Sequence, residues 1–230
     1  MDESLRTVNL GYAVASEEQR NRVLRNTYWL LALSMVPTVL GAWIGVSTGI
    51  VATMGMGMSF IVFMGGAFGF MFAIEKTKNS SAGVPVLLGF TFFMGLMLSR
   101  LLAAVLGQQG GAGLIMIAFT GTGLTFLGMA ALSTVIKRDL SAMGKFLYVG
   151  AVMLLVAIVA NLFLQSSALF ITIAVVMVGI FSAFMLYDLK AVRDGQETNY
   201  ISATLRIYLD LFNVFQALLS ILGFAGGSRD

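Results

Sequence analysis

A chain of 230 residues that is 58% hydrophobic and only 11% charged, with a mean hydropathy of +0.92, is excluded from the ordinary soluble domains, in which about a quarter of residues are charged. The formal charge of +3 is small, and its basic residues fall mostly between apolar runs, so they are topology signals and imply no nucleic-acid partner. With no Cys and no His, disulfides, thiolate nucleophiles, His-ligated zinc and Ser-His proteolysis are excluded, and the chain is not expected to be an enzyme.

Long apolar runs, in place of the ~10-residue alternation of barrel strands, predict an all-α integral membrane protein. Residues 1–26 are polar and mixed in charge, without the apolar core of a signal peptide, and are expected to form a cytoplasmic N-terminal tail. The membrane domain is expected over 27–224, followed by a short tail at 225–230. The first span is expected over about 27–46, with Tyr28, Trp29 and Trp43 near its ends and a kink at Pro37. The second, about 50–74, contains a small-xxx-small spacing within Gly65-Gly66-Ala67-Phe68-Gly69 that suits close helix packing. A polar break at 75–81 precedes spans expected over about 84–106, 112–136, 143–164 and 168–188.

Arg20, Arg22 and Arg25, then Lys76 and Lys78, Lys137 and Arg138, and Lys190 and Arg193 mark alternate connections, while those after spans one, three and five carry no Lys or Arg. This positive-inside pattern predicts a cytoplasmic N-terminus and, if the last run spans, a periplasmic C-terminus.

The last run, 201–224, differs in kind because Arg206, Asp210, Asn213 and Gln216 lie among its apolar residues. Arg206, Asp210 and Asn213 follow spacings of four and three, so they share one helical face, expected to point into the bundle. Ionisable groups inside a span are costly and mark functional sites by default. Asp188, ending the sixth run, falls in the same half of the membrane as Asp210. If the two meet away from water, both cannot easily ionise and they would share one proton, making a proton-responsive latch. Against this stand plainer readings: Asp188 as an interfacial residue clustered with Lys190 and Arg193, Asp210 as the ion-pair partner of Arg206, Arg100 snorkelling from the third span, and Glu75 in a solvated loop.

Several segments together resemble the transmembrane Bax inhibitor motif family, in its bacterial YccA-like branch. They are Val23-Leu24-Arg25-Asn26-Thr27-Tyr28, the stretch from Gly66 to Thr77, Lys137-Arg138-Asp139-Leu140-Ser141, Leu186-Tyr187-Asp188, Glu197-Thr198-Asn199-Tyr200-Ile201 and Leu218-Leu219-Ser220-Ile221-Leu222-Gly223-Phe224. The resemblance covers nearly the whole chain. It implies seven transmembrane helices, six surrounding a central polar-faced seventh, in a bacterial inner membrane. It further implies a role in binding and modulating the membrane protease FtsH or, as the alternative, a pH-sensitive calcium leak gated by two aspartates. On the second reading Asp188 and Asp210 are the proton-sensing pair, Arg206, Asn213 and Tyr187 are auxiliary, and no cofactor is implied beyond a transient calcium ion near Asp188 and Asp210. The sequence departs from the calcium-leak pattern in having no acidic residue between Phe63 and Phe72, and in carrying Arg206 and Arg100.

Overall fold

The computed structural model describes residues 17–227. Its seven helices are α1 (Glu17–Thr48), α2 (Met56–Thr77), α3 (Gly83–Leu106), α4 (Gly111–Val135), α5 (Ser141–Leu164), α6 (Ser167–Arg193) and α7 (Tyr200–Gly227). Each is long and apolar enough to cross a membrane, and strands are absent among the described residues.

Three boundaries differ from the sequence expectation, each for a local reason. The segment expected to be a free tail is helical from Glu17, residues before that lying outside the described ones. Glu17 and Glu18 sit in the first turn of α1, where negative charge suits the helix dipole, and pair with Arg20 at 3.8 Å and Arg22 at 3.4 Å. Val23 is already buried in the core. The second span starts at Met56, not near residue 50, because Gly49 takes a left-handed φ of 66° after α1 and the apolar stretch 50–55 is a loop. Helix α6 continues beyond Asp188 to Arg193, placing Asp188 inside a helix and not at its end.

Helices in lipid gain little from hydrophobic burial against each other, so close packing and polar contacts hold them together. The tightest approach joins α1 and α3. A Cβ at Gly95 would fall on the carbonyl of Thr38, and one at Gly41 on the carbonyl of Phe92, so each glycine admits the opposing backbone. The Gly65/Gly69 spacing picked out in α2 is not used this way: both face open space, and it is Gly66 that receives the ring of Phe93.

Helix α7 packs against α1, α2, α3, α4 and α6, whereas α5 contacts α6 and not α7 among the described residues. Its start packs on Gly83, at the start of α3, through Ile201, and its end reaches Gln108, beyond the end of α3. The 28-residue helix, about 42 Å long, therefore traverses the bundle and does not re-enter. Near its middle, Tyr208 and Leu219, placed by periodicity on the side away from Asp210, are fully buried against other helices. Thr38 donates to the Ser34 carbonyl at 2.8 Å and its oxygen meets the Tyr208 hydroxyl at 2.9 Å. The same hydroxyl lies 3.4 Å from the Thr91 carbonyl, so one phenol ties α7 to α1 and α3.

Candidate functional site

The charged connections converge on one end of the bundle. Asn199 joins them: its Nδ2 donates to the Lys78 carbonyl at 3.1 Å and to Asn79 Oδ1 at 2.8 Å, binding the α2–α3 loop to the α6–α7 loop. Its Oδ1 accepts from the backbone N–H groups of Ile201 (2.9 Å) and Ser202 (3.1 Å), satisfying donors that the first turn of α7 would otherwise leave unpaired. Beside it, Asp139 and Leu140 of the α4–α5 loop line a small recess with Tyr187, Lys190 and Asp194.

Between α6 and α7 at this end, Asp188 and Asp210 are both buried, at 7% and 4% exposure, near enough for the charge of one to bear on the other. The fold thus brings into one buried region the two carboxyl groups that the sequence put in the same half of the membrane. Asp210 Oδ2 is buried without a hydrogen-bond partner among the described residues.

Arg206 does not pair with Asp210, as four-residue spacing suggests. Its side chain is half exposed and spans Asp188, at 4.0 Å, and Glu197, at 3.3 Å. Glu197, given no role from sequence, holds the arrangement in place. Its second oxygen accepts from the Asn199 backbone N–H at 2.9 Å, so the loop that caps α7 also supplies the second anion for Arg206. The missed signal was local: Glu197 and Asn199 immediately precede a helix, where acids and Asn are favoured.

The other auxiliary residues stand apart. Asn213 spends its amide on the Leu209 carbonyl of its own helix, at 2.8 Å. Tyr187 faces α5, where its ring lies against Gly144. Lys190 and Arg193, expected to cluster with Asp188, bind Asp194 instead, Arg193 through two hydrogen bonds of 2.9 and 2.8 Å. Glu75 lies at the end of α2, paired with Lys78. Arg100 donates to the Met54 carbonyl at 3.1 Å and to Ser59 at 3.4 Å, securing the α1–α2 connection at the opposite end.

Two predictions follow from these geometries. Arg206→Gln should lower the melting temperature at neutral pH by leaving Asp188 and Glu197 without their cation, and adding Asp188→Asn should recover most of the loss. A double-mutant cycle on thermal unfolding in detergent should give a coupling of roughly 1 kcal/mol, whereas additive effects would contradict the pairing. At Asp194, burial favours the neutral carboxyl, but hydrogen bonds from Lys190 and Arg193 outweigh it and hold the pKa below the ordinary 3.8. A depressed carboxyl pKa contributes stability above the unfolded value that is lost as pH falls through the folded one. Asp194→Asn should therefore destabilise at pH ~7, and the difference from wild type should close as pH falls through the lowered carboxyl pKa.

The architecture and the acidic pair can now be set beside known proteins. The model for "Inhibitor of apoptosis-promoting Bax1" matches residues 20–227, effectively all of the described bundle. The chain belongs to the Bax inhibitor family. Relatives match along most of their length. The Escherichia coli K12 protein named "Modulator of FtsH protease YccA" is 38% identical over 210 residues, 91% of this chain and 92% of that one. An uncharacterized protein of Neisseria meningitidis serogroup B is 38% identical over 206 residues, 88% and 91% of the two chains. A Vibrio cholerae protein described only as an uncharacterized membrane protein is 37% identical over 209 residues, 89% and 90% of the two.

Proposed function

We propose that this member of the Bax inhibitor family is a multi-pass protein of a bacterial inner membrane that binds the protease FtsH and restrains it, with no catalytic step of its own. The observation that carries this reading is the 38% identity, across 91% of the chain, to a protein named for modulating FtsH. An E. coli O6 relative with the same identity and coverage is named an inner membrane protein, which supports the location. Positive loops at one end of the bundle favour a cytoplasmic placement of that end. There α1 begins with charged residues from Glu17 to Arg25, a segment that a membrane-anchored protease could engage before the span. The test is affinity purification of the tagged chain from membranes of cells carrying FtsH. FtsH should co-purify at near-stoichiometric level, and its absence under conditions that preserve membrane complexes would remove this reading.

A second reading, a proton-responsive cation leak, is favoured by one observation: the joint burial of Asp188 and Asp210 between α6 and α7. Two carboxyl groups so placed could hold a proton between them and separate when it leaves. A calcium ion would need six to eight oxygen ligands, and Arg206 already lies against Asp188, which weighs against an ion resting there. Liposomes loaded with a calcium dye distinguish the readings. Flux that rises or falls with pH and changes in Asp210→Asn would support the leak, and no flux at any pH would remove it.

A further inference from the structure

The segment between α6 and α7 is short and tied down along its length. Asp194 belongs with α6, held there by Lys190 and Arg193. At Gly195 the chain takes a left-handed φ of 76°, which glycine adopts without strain. It then folds back, so that the N–H groups of Gln196 and Glu197 both donate to the Ala191 carbonyl, at 2.9 and 3.1 Å. Beyond this turn the side chains alternate. Gln196 and Thr198 are exposed, whereas Glu197 and Asn199 are partly buried and bond inward.

Each inward residue makes one fastening. Asn199 grips the α2–α3 loop through two hydrogen bonds and caps α7 with two more. Glu197 takes the Arg206 guanidinium at 3.3 Å, and Arg206 in turn reaches Asp188 at 4.0 Å. Side-chain exposure is 53% for Arg206, 16% for Glu197 and 10% for Asp188, and Asp210 is 4% exposed. Arg206 lies one turn nearer the start of α7 than Asp210, about 6 Å, and helical side chains lean toward the N-terminus. The Glu197–Arg206 pair therefore stands between the two aspartates and the water at the charged end. The two fastenings differ in kind. Asn199 is held by neutral hydrogen bonds, whereas Glu197 is held by an ion pair with a half-exposed cation, which contributes little and is screened by salt.

We propose that residues 195–199 form a strap that shuts the Asp188 and Asp210 region from water, and that release of Glu197 from Arg206 opens it while Asn199 holds. The Gly195 turn and the Asn199 cap are the fixed ends, so opening moves the residues between them and leaves α6 and α7 in place. A segment with few buried contacts opens locally far more often than the whole fold does. The strap depends on neither FtsH binding nor cation flux.

The chain has no Cys, so a single introduced thiol reports water access at one position. Asp210→Cys leaves both partners of Arg206 in place. The reagent is iodoacetamide, which is small, neutral and water-soluble, applied to the full chain in nanodiscs. The Asp210→Cys thiol should react about a hundredfold more slowly than the Thr198→Cys thiol on the exposed side of the strap. Adding Glu197→Gln should speed it about tenfold. High salt should speed it severalfold when Glu197 is present and not in Glu197→Gln. Arg100→Gln, which removes two hydrogen bonds at the opposite end, should leave the rate unchanged. The proposal is overturned by an Asp210→Cys thiol as reactive as the Thr198→Cys thiol, by a rate indifferent to Glu197→Gln or to salt, or by equal acceleration in Arg100→Gln. If Asp210→Cys does not fold, amide hydrogen exchange of the otherwise unaltered chain decides. Residues 196–199 should then exchange ahead of the flanking helix ends and faster still in Glu197→Gln, and no acceleration in that variant would overturn the strap.

Discussion

Gly95→Val is expected to destabilise the bundle by about 3 kcal/mol or more, the upper range for overpacking. The reason is what lies opposite: a Cβ there would meet the backbone of Thr38, which cannot swing aside as a side chain tip can. The two helices would have to separate, and with them the Thr38–Tyr208 hydrogen bond of 2.9 Å that links α1 to α7. Gly65→Val is the matched control, because open space surrounds that position, and it should change stability by less than about 0.5 kcal/mol. Thermal unfolding of both variants in the same detergent makes the comparison, and equal tolerance at the two sites would contradict the packing described for α1 and α3.

The second large effect is expected at Tyr208. Its side chain is 1% exposed and stacks near Phe90 and Phe212, with ring centroids 6.1 Å away in each case. Tyr208→Ala removes the ring from a closed site and should cost about 3–5 kcal/mol. Tyr208→Phe keeps the ring and loses only the hydroxyl, leaving Thr38 without that partner, and should cost about 1 kcal/mol. The ratio of the two is the informative result. If Tyr208→Phe were as damaging as Tyr208→Ala, the hydroxyl bridge would dominate over packing at this position.

Much of this architecture was legible because the bilayer simplifies the problem. A run of apolar residues near 20 long must be helical, and the alternation of Lys and Arg between loops orders the spans. What composition could not place were the ends. Glu17–Asn26 looked like a tail because it is polar, but its helicity comes from charge pairs and a dipole-suited first turn. Residues 50–55 looked like span because they are apolar, but Gly49 turns the chain. Glycine use was likewise hidden: the Gly65/Gly69 spacing is visible in sequence, yet Gly41 and Gly95 make the close contact, and only the pairing of α1 with α3 reveals which glycines face a backbone.

The site divides the same way. Asp188 and Asp210 were identified by the cost of placing carboxyl groups among apolar residues, and the antiparallel turn between α6 and α7 put them in the same half of the membrane; how near they come depends on the packing of the two helices, which spacing does not give. The partners of Arg206 were not legible, because Glu197 lies in a loop whose path depends on Asn199 reaching across to Lys78 and Asn79. Local spacing favoured Asp210, and tertiary structure supplied Asp188 and Glu197 in its place.

The proposal of FtsH restraint is tested most directly by co-reconstituting the purified chain with purified FtsH in liposomes and measuring the ATP-dependent degradation of a membrane substrate. Degradation should slow as the chain approaches a one-to-one ratio with FtsH, and a folded but unrelated seven-helix protein should have no effect. An unchanged rate at every ratio, with both proteins confirmed in the same vesicles, would contradict it.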